Sequence, residues 1–206
     1  MRIHCHGDSL TEGSDFLKPY TWPALTAQRL GIEVVNRGIG GDTTGGMLGR
    51  FAFEVLQHKP EMVILLGGTN DLWWGVEPKQ ILANLASMVV QAQHYGIVPI
   101  LALPLPCWPE QAAKQPWTSP EGGYTVFNEQ IRALVEAQAA YAKADDLPCI
   151  DFHGDYFDEA EELRTDLFLE DGLHANKAGH LLMADTAVAL LRRTFRLGGT
   201  SATSVL

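Results

Sequence analysis

The stretch Met62-Val63-Ile64-Leu65-Leu66-Gly67-Gly68-Thr69-Asn70-Asp71 runs from an unbroken apolar segment into two glycines and a knot of small polar residues. An apolar run this short, with no polar residue at alternate positions, predicts a strand buried on both faces. Such strands belong to parallel sheets covered by helices on either side. Reading outward, short strand-like runs recur at Arg2–His6, Ile32–Asn36, Val98–Leu103 and Cys149–Phe152. Between them lie stretches with helical periodicity: Trp22–Leu30, closed by Gly31; Thr43–Leu56, with Thr43 or Thr44 as N-cap; Pro78–Tyr95, stopping at Gly96; Tyr124–Ala144; and Asn176–Phe195. The alternation predicts an α/β fold, a three-layer α/β/α sandwich with a five-stranded parallel sheet in a flavodoxin-like order.

A chain of 206 residues fits one domain, expected over residues 1–197, with the small, polar residues 198–206 as a flexible tail. Hydrophobic content of 46% and charged content of 19% describe an ordinary soluble globular protein. The net charge of −10, with no Lys/Arg cluster to offset it, argues against a nucleic-acid partner. No membrane span is expected, because Met62–Leu66 and Val98–Pro106 fall far short of the roughly 18–20 apolar residues a helix needs. Cys5, Cys107 and Cys149 are three isolated thiols without a Cys-x-x-Cys pair, which speaks against a disulfide framework or a zinc site. A reducing compartment fits them. The first periodic element starts almost at Met1, so no signal peptide is visible and a cytoplasmic location is expected. Nothing in the pattern sets an oligomeric state.

Four short motifs fall at strand ends or in the loops that follow: Gly7-Asp8-Ser9-Leu10-Thr11-Glu12-Gly13, Asn36-Arg37-Gly38-Ile39-Gly40-Gly41-Asp42-Thr43, Gly67-Gly68-Thr69-Asn70-Asp71, and Asp171-Gly172-Leu173-His174. Open parallel sheets bind ligands outside the carboxyl ends of their strands, so the motifs are expected to converge. Acyl transfer needs a nucleophile, a base, a group that orients the base, and donors for the developing oxyanion. Ser9 supplies the nucleophile on a tight turn. His174 is the candidate base, and Asp171, three residues earlier, can reach the second imidazole nitrogen. Gly41 can present its N–H with no side chain in the way, Asn70 offers a side-chain amide, and the Ser9 N–H is a third donor. Asp8, Trp73 and Trp74 are candidate substrate contacts, although aromatic bulk at 73–74 could equally be core.

These motifs together resemble those of the SGNH hydrolases, the GDSL esterase/lipase family, named for Ser, Gly, Asn and His residues in four separated blocks. Here the blocks map onto Ser9, Gly41, Asn70 and His174, with Asp171 completing a triad. Gly41-Asp42-Thr43 and Asn70-Asp71 look most like the bacterial thioesterase/lysophospholipase branch. The resemblance spans the chain from Ser9 to His174. It implies a cofactor-independent esterase whose partner is a small acyl ester, possessing an acyl-enzyme on Ser9. A thioester, a lysophospholipid or an O-acetylated sugar would serve as substrate on the same machinery, and so would acyl transfer to an acceptor other than water. An α/β-hydrolase elbow needs Gly-x-Ser-x-Gly, and Thr11 stands where its second glycine would be.

Each motif also has a structural reading. Ser9 alone is a turn serine or helix cap, Asp171/His174 a capping pair, Asn70-Asp71 a strand-to-helix cap. A non-catalytic binding module, however, has no physical reason to retain the whole set. His4 and His6 share one face of a strand with no third ligand nearby in sequence, so packing is preferred to metal binding, and Cys5 is read as buried. The Pro-rich stretch Pro104–Gly123, with Trp108 and Trp117, is either a wall or lid of the site or a surface excursion.

Overall fold

A computed structural model describes residues 1–195. In chain order its elements are β1 (Arg2–Gly7), α1 (Ser9–Glu12), α2 (Trp22–Leu30), β2 (Glu33–Gly38), α3 (Thr44–Glu54), β3 (Met62–Leu66), α4 (Thr69–Trp73), α5 (Pro78–His94), β4 (Val98–Leu103), α6 (Pro109–Ala112), α7 (Gly123–Ala144), β5 (Cys149–Asp151) and α8 (Lys177–Phe195). All strand pairs are parallel, in the order β2-β1-β3-β4-β5. That is the flavodoxin-like order expected from the sequence.

The unbroken apolar character of β3 follows from this architecture. Val63 and Leu65 join a core with Met47 and Phe51 of α3, Leu85 of α5 and Ile131 of α7. Met62, Ile64 and Leu66 point the other way, into a core with Trp22 of α2 and Met183 and Leu191 of α8. Successive side chains alternate across a strand, so a central strand between two helical layers has no polar face. β1 obeys the same alternation: Ile3 and Cys5 face the α2/α8 layer, while His4 and His6 face α3. The two histidines bond to backbone carbonyls, His4 Nδ1 to Glu54 at 3.0 Å and His6 Nε2 to Met47 at 2.9 Å. Burial pushes both imidazoles down, to about 4 and about 3, so they are neutral core groups.

Element boundaries differ from expectation where tertiary pairing decides them. β2 runs on to Gly38 because it stays in register with β1 as far as Gly7. Four short pieces had no periodicity to betray them: α1, α4, α6 and a 3-10 turn over Asp15–Tyr20. Thr43 is the cap of α3, its hydroxyl accepting from the Gly46 N–H at 3.2 Å. The tail expected at 198–206, with the last two residues of the expected domain, lies outside the described residues. Among the described residues, no helix is long and apolar enough to cross a membrane.

Candidate active site

Ser9, Gly41 and Asn70 follow β1, β2 and β3, three adjacent strands, at their carboxyl ends. The chain leaves β1 to one side for β2 and returns on the other for β3, which makes this the switch point where open sheets form a crevice. His174 and Asp171 arrive from a long loop between β5 and α8.

Ser9 Oγ lies 2.9 Å from His174 Nε2, and His174 Nδ1 lies 2.7 Å from Asp171 Oδ2. A carboxylate only accepts, so the proton sits on Nδ1 and Nε2 is left to accept from the serine hydroxyl. The other carboxylate oxygen of Asp171 takes the N–H groups of Leu173 and His174 at 2.8 and 2.9 Å. The spacing of three residues therefore works as a turn closed by the acid itself. Burial raises Asp171, but the bond from His174, the imidazole's charge and those two N–H groups outweigh it and hold the carboxyl below its ordinary value. Burial likewise pulls His174 down, yet the Asp171 bond and the charges of Asp171 and Asp8 leave it above its ordinary value.

Gly41 has φ +75°, a backbone setting that L side chains rarely adopt, and it lines the same cavity as Ser9, Asn70 and His174. Asn70 donates one amide hydrogen to the Asp42 carbonyl at 2.9 Å, which fixes the amide plane and leaves its second hydrogen for a ligand. This cavity, of about 250 Å³, is walled by Leu10, Trp73, Leu105, Pro106, Phe127 and Ile131. Trp73 answers both readings of its aromatic bulk: it lines the cavity while packing edge-on against Tyr124 and Phe127 at 5.7 and 5.5 Å. Trp74 stands at the mouth, 73% exposed.

Asp8 must be corrected. It is fully buried and does not line the cavity, so it is not placed for substrate contact. Its carboxylate instead caps α1 through the Leu10 N–H at 2.9 Å and meets the Thr69 hydroxyl at 3.4 Å. Burial pushes Asp8 up to about 6, against the Leu10 bond and the pull of His174.

Two supports were not foreseen. Arg50 on α3 donates to Asp42 Oδ2 at 2.7 Å and to the Arg37 and Gly7 carbonyls at 2.8 Å each, tying the Gly41 loop to the end of β1. Asp71 is buried and accepts from the Thr44 N–H at 2.8 Å and its hydroxyl at 2.6 Å, which fixes the start of α3 to the Asn70 turn. No sequence signal marks Arg50, a lone cation on a helix. The 104–123 segment is a wall: Trp108 N–H donates to the Gly172 carbonyl at 2.7 Å, and the Gln111 and Gln115 amides donate to the Glu170 carbonyl at 2.6 and 2.7 Å. Gly172, at φ +71°, is needed there, since a Cβ would sit 2.8 Å from both Ala112 N and Trp108 O.

Residues 5–182 match the model of the GDSL-like Lipase/Acylhydrolase family. An arylesterase of Vibrio mimicus is 38% identical over 95 residues, 44% of this chain and 48% of that protein. The Escherichia coli protein named Thioesterase 1/protease 1/lysophospholipase L1 is 27% identical over 181 residues, 87% of this chain and 77% of that one. The chain spans about half the length of the first curated relatives it matches. A solved structure of a lipolytic G-D-S-L protein from Desulfitobacterium hafniense superposes with a TM-score of 0.78 at 29% identity, over 92% of this chain and 99% of that one. With the fold, the Ser9 turn and the match over residues 5–182 in agreement, this chain belongs to the GDSL-like lipase/acylhydrolase family.

Proposed function

We propose that this protein hydrolyses carboxylic esters through an acyl-enzyme on Ser9. The reading rests on one observation: a serine bonded to an imidazole, itself bonded to a carboxylate, opens into the cavity lined by Gly41 and Asn70. His174 Nε2 takes the hydroxyl proton as Ser9 Oγ attacks the ester carbonyl, and Asp171 stabilises the imidazolium that forms. The oxyanion is held by the N–H groups of Ser9 and Gly41 and the Asn70 amide. His174 then returns the proton to the leaving oxygen, the alcohol departs, and a water deprotonated by the same nitrogen releases the acid. The apolar walls around Trp73, Leu105 and Ile131 suit an acyl chain. Three free thiols, two of them fully buried, favour work in a reducing compartment.

A fluorophosphonate should label the protein at Ser9. Ser9→Ala should lose both labelling and turnover of a short p-nitrophenyl ester, with its melting temperature nearly unchanged. Retained turnover in that variant rejects the assignment.

A further inference from the structure

Ser9 follows β1 and Gly41 follows β2, so two N–H groups on separate loops have to be held at one spacing to share an oxyanion. The loop that carries Gly41 has little stiffness of its own, because Gly40 and Gly41 are consecutive glycines. Its ends are tied: the Ile39 N–H donates to the Gly7 carbonyl at 3.1 Å, and the Asn70 amide holds the Asp42 carbonyl. Its middle is held by Glu12, whose Oε2 accepts from the Gly40 N–H at 2.7 Å. Glu12 is the last residue of α1, the single helical turn that Ser9 begins. Resting on the hydrolase reading above, we infer that Glu12 is a positioning residue for catalysis, coupling the nucleophile helix to the oxyanion loop so that the Ser9 and Gly41 N–H groups converge on one oxygen.

The surfaces that meet here are shaped for close approach. Asn36, in β2, donates to the Thr11 carbonyl at 2.7 Å and to the Glu12 carbonyl at 3.3 Å, and its own oxygen takes the Gly38 N–H at 2.9 Å. Gly38 faces the backbone of Glu12, and a Cβ there would collide with the Glu12 amide nitrogen. A Cβ on Gly40 would sit 2.9 Å from Glu12 Oε2. The end of α1 is therefore seated on the end of β2 through its backbone, and the Glu12 side chain extends that seat to the loop beyond. Its bond to Gly40 has an ionised acceptor, which makes it stronger than a neutral one. The benefit lies in geometry, since a carboxylate near a developing oxyanion repels it. Glu12 and His174 also line one opening, so a charge acting on the imidazole is the rival role.

Two substitutions separate these roles. Glu12→Ala removes the acceptor, whereas Glu12→Gln keeps an oxygen for the Gly40 N–H without the charge. On p-nitrophenyl butyrate, kcat of Glu12→Ala should fall about tenfold with little change in KM, less than the loss of a whole oxyanion donor causes. Glu12→Gln should keep the wild-type kcat. Because Glu12 is exposed, both variants should melt near the wild-type temperature. An alkyl trifluoromethyl ketone supplies a second readout. Ser9 Oγ adds to its carbonyl carbon, the hydroxyl proton passes to His174 Nε2, and the carbonyl oxygen becomes a stable oxyanion. Its Ki should rise in Glu12→Ala by the factor by which kcat falls, and should not move in Glu12→Gln. Wild-type kcat in Glu12→Ala, an equal loss in both variants, or an unmoved Ki in Glu12→Ala overturns the inference while leaving the esterase reading intact. No turnover by the wild-type enzyme, together with no fluorophosphonate labelling, would overturn the esterase reading itself.

Discussion

Two carboxylates act on His174 from opposite ends of the chain. Asp171 bonds to the ring, while Asp8 acts through space from beneath the nucleophile turn. Both favour the imidazolium, so the free enzyme's kcat/KM should rise with pH through a value above the ordinary histidine 6.5. Asp8→Asn keeps an oxygen for the Leu10 N–H but removes one of the charges that raise His174. The acid limb of the pH profile should therefore move to lower pH in that variant. A limb that stays put, or moves up, refutes the electrostatic role and leaves Asp8 only a cap. At this scale the sequence was legible where chemistry demands rare combinations: a serine, an amide, a histidine and an acid, each within a short run that contains glycine. Asp8 was misread because its place in the motif hid its burial. Arg50 was invisible because its partners, the Gly7 and Arg37 carbonyls and the Asp42 carboxylate, are brought to it only by the fold.

The helix α3 does more than cover the sheet. Through Arg50 it holds the Gly7 and Arg37 carbonyls and the Asp42 carboxylate, and Asp42 in turn orients Asn70 with its own carbonyl. Asp42 and Arg50 are both mostly buried, at 12% and 16% side-chain exposure. Arg50→Ala leaves that carboxylate without its partner, at a cost of about 3 kcal/mol in urea unfolding. Because the same side chain sets the Gly41 loop, kcat should fall beyond what lost stability explains, measured well below the unfolding midpoint. Full kcat in a destabilised Arg50→Ala enzyme shows that the loop holds itself. The long helices and β3, β4 were readable because their periodicity or apolar runs extend over whole elements. The 104–123 wall was not, since its contacts with Glu170 and Gly172 are made across the fold and not along the chain.

Ser9 and His174 are separated by 165 positions, and no local element joins them. They meet because β1 lies inside the sheet, between β2 and β3, and α8 packs against it, burying Met183, Ala184 and Leu191 beside Ile3 and Cys5. The geometry of the site is therefore a property of the whole sheet with both helical layers in place. Esterase activity and far-ultraviolet ellipticity should be lost over the same urea range, as in a single cooperative transition. Activity lost at distinctly lower urea contradicts this and identifies the Asp171 loop as a separate unit of lower stability. The layered architecture and strand order followed from the apolar alternation, while the convergence of four distant motifs needed the topology rule as well as the motifs.

The tryptophans divide by location in a way that turns the molecule into its own indicator. Trp22 is sealed in the core against Phe152, whereas Trp73 and Trp74 line the apolar cavity and Trp117 lines a second opening that also reaches Ser9. Intrinsic emission therefore carries a constant background from the core and a variable part from the indoles near Ser9. A ligand that fills the apolar cavity dries the indoles of Trp73 and Trp74. Occupancy of that cavity can therefore be followed by fluorescence alone, without a chromogenic substrate or an added dye.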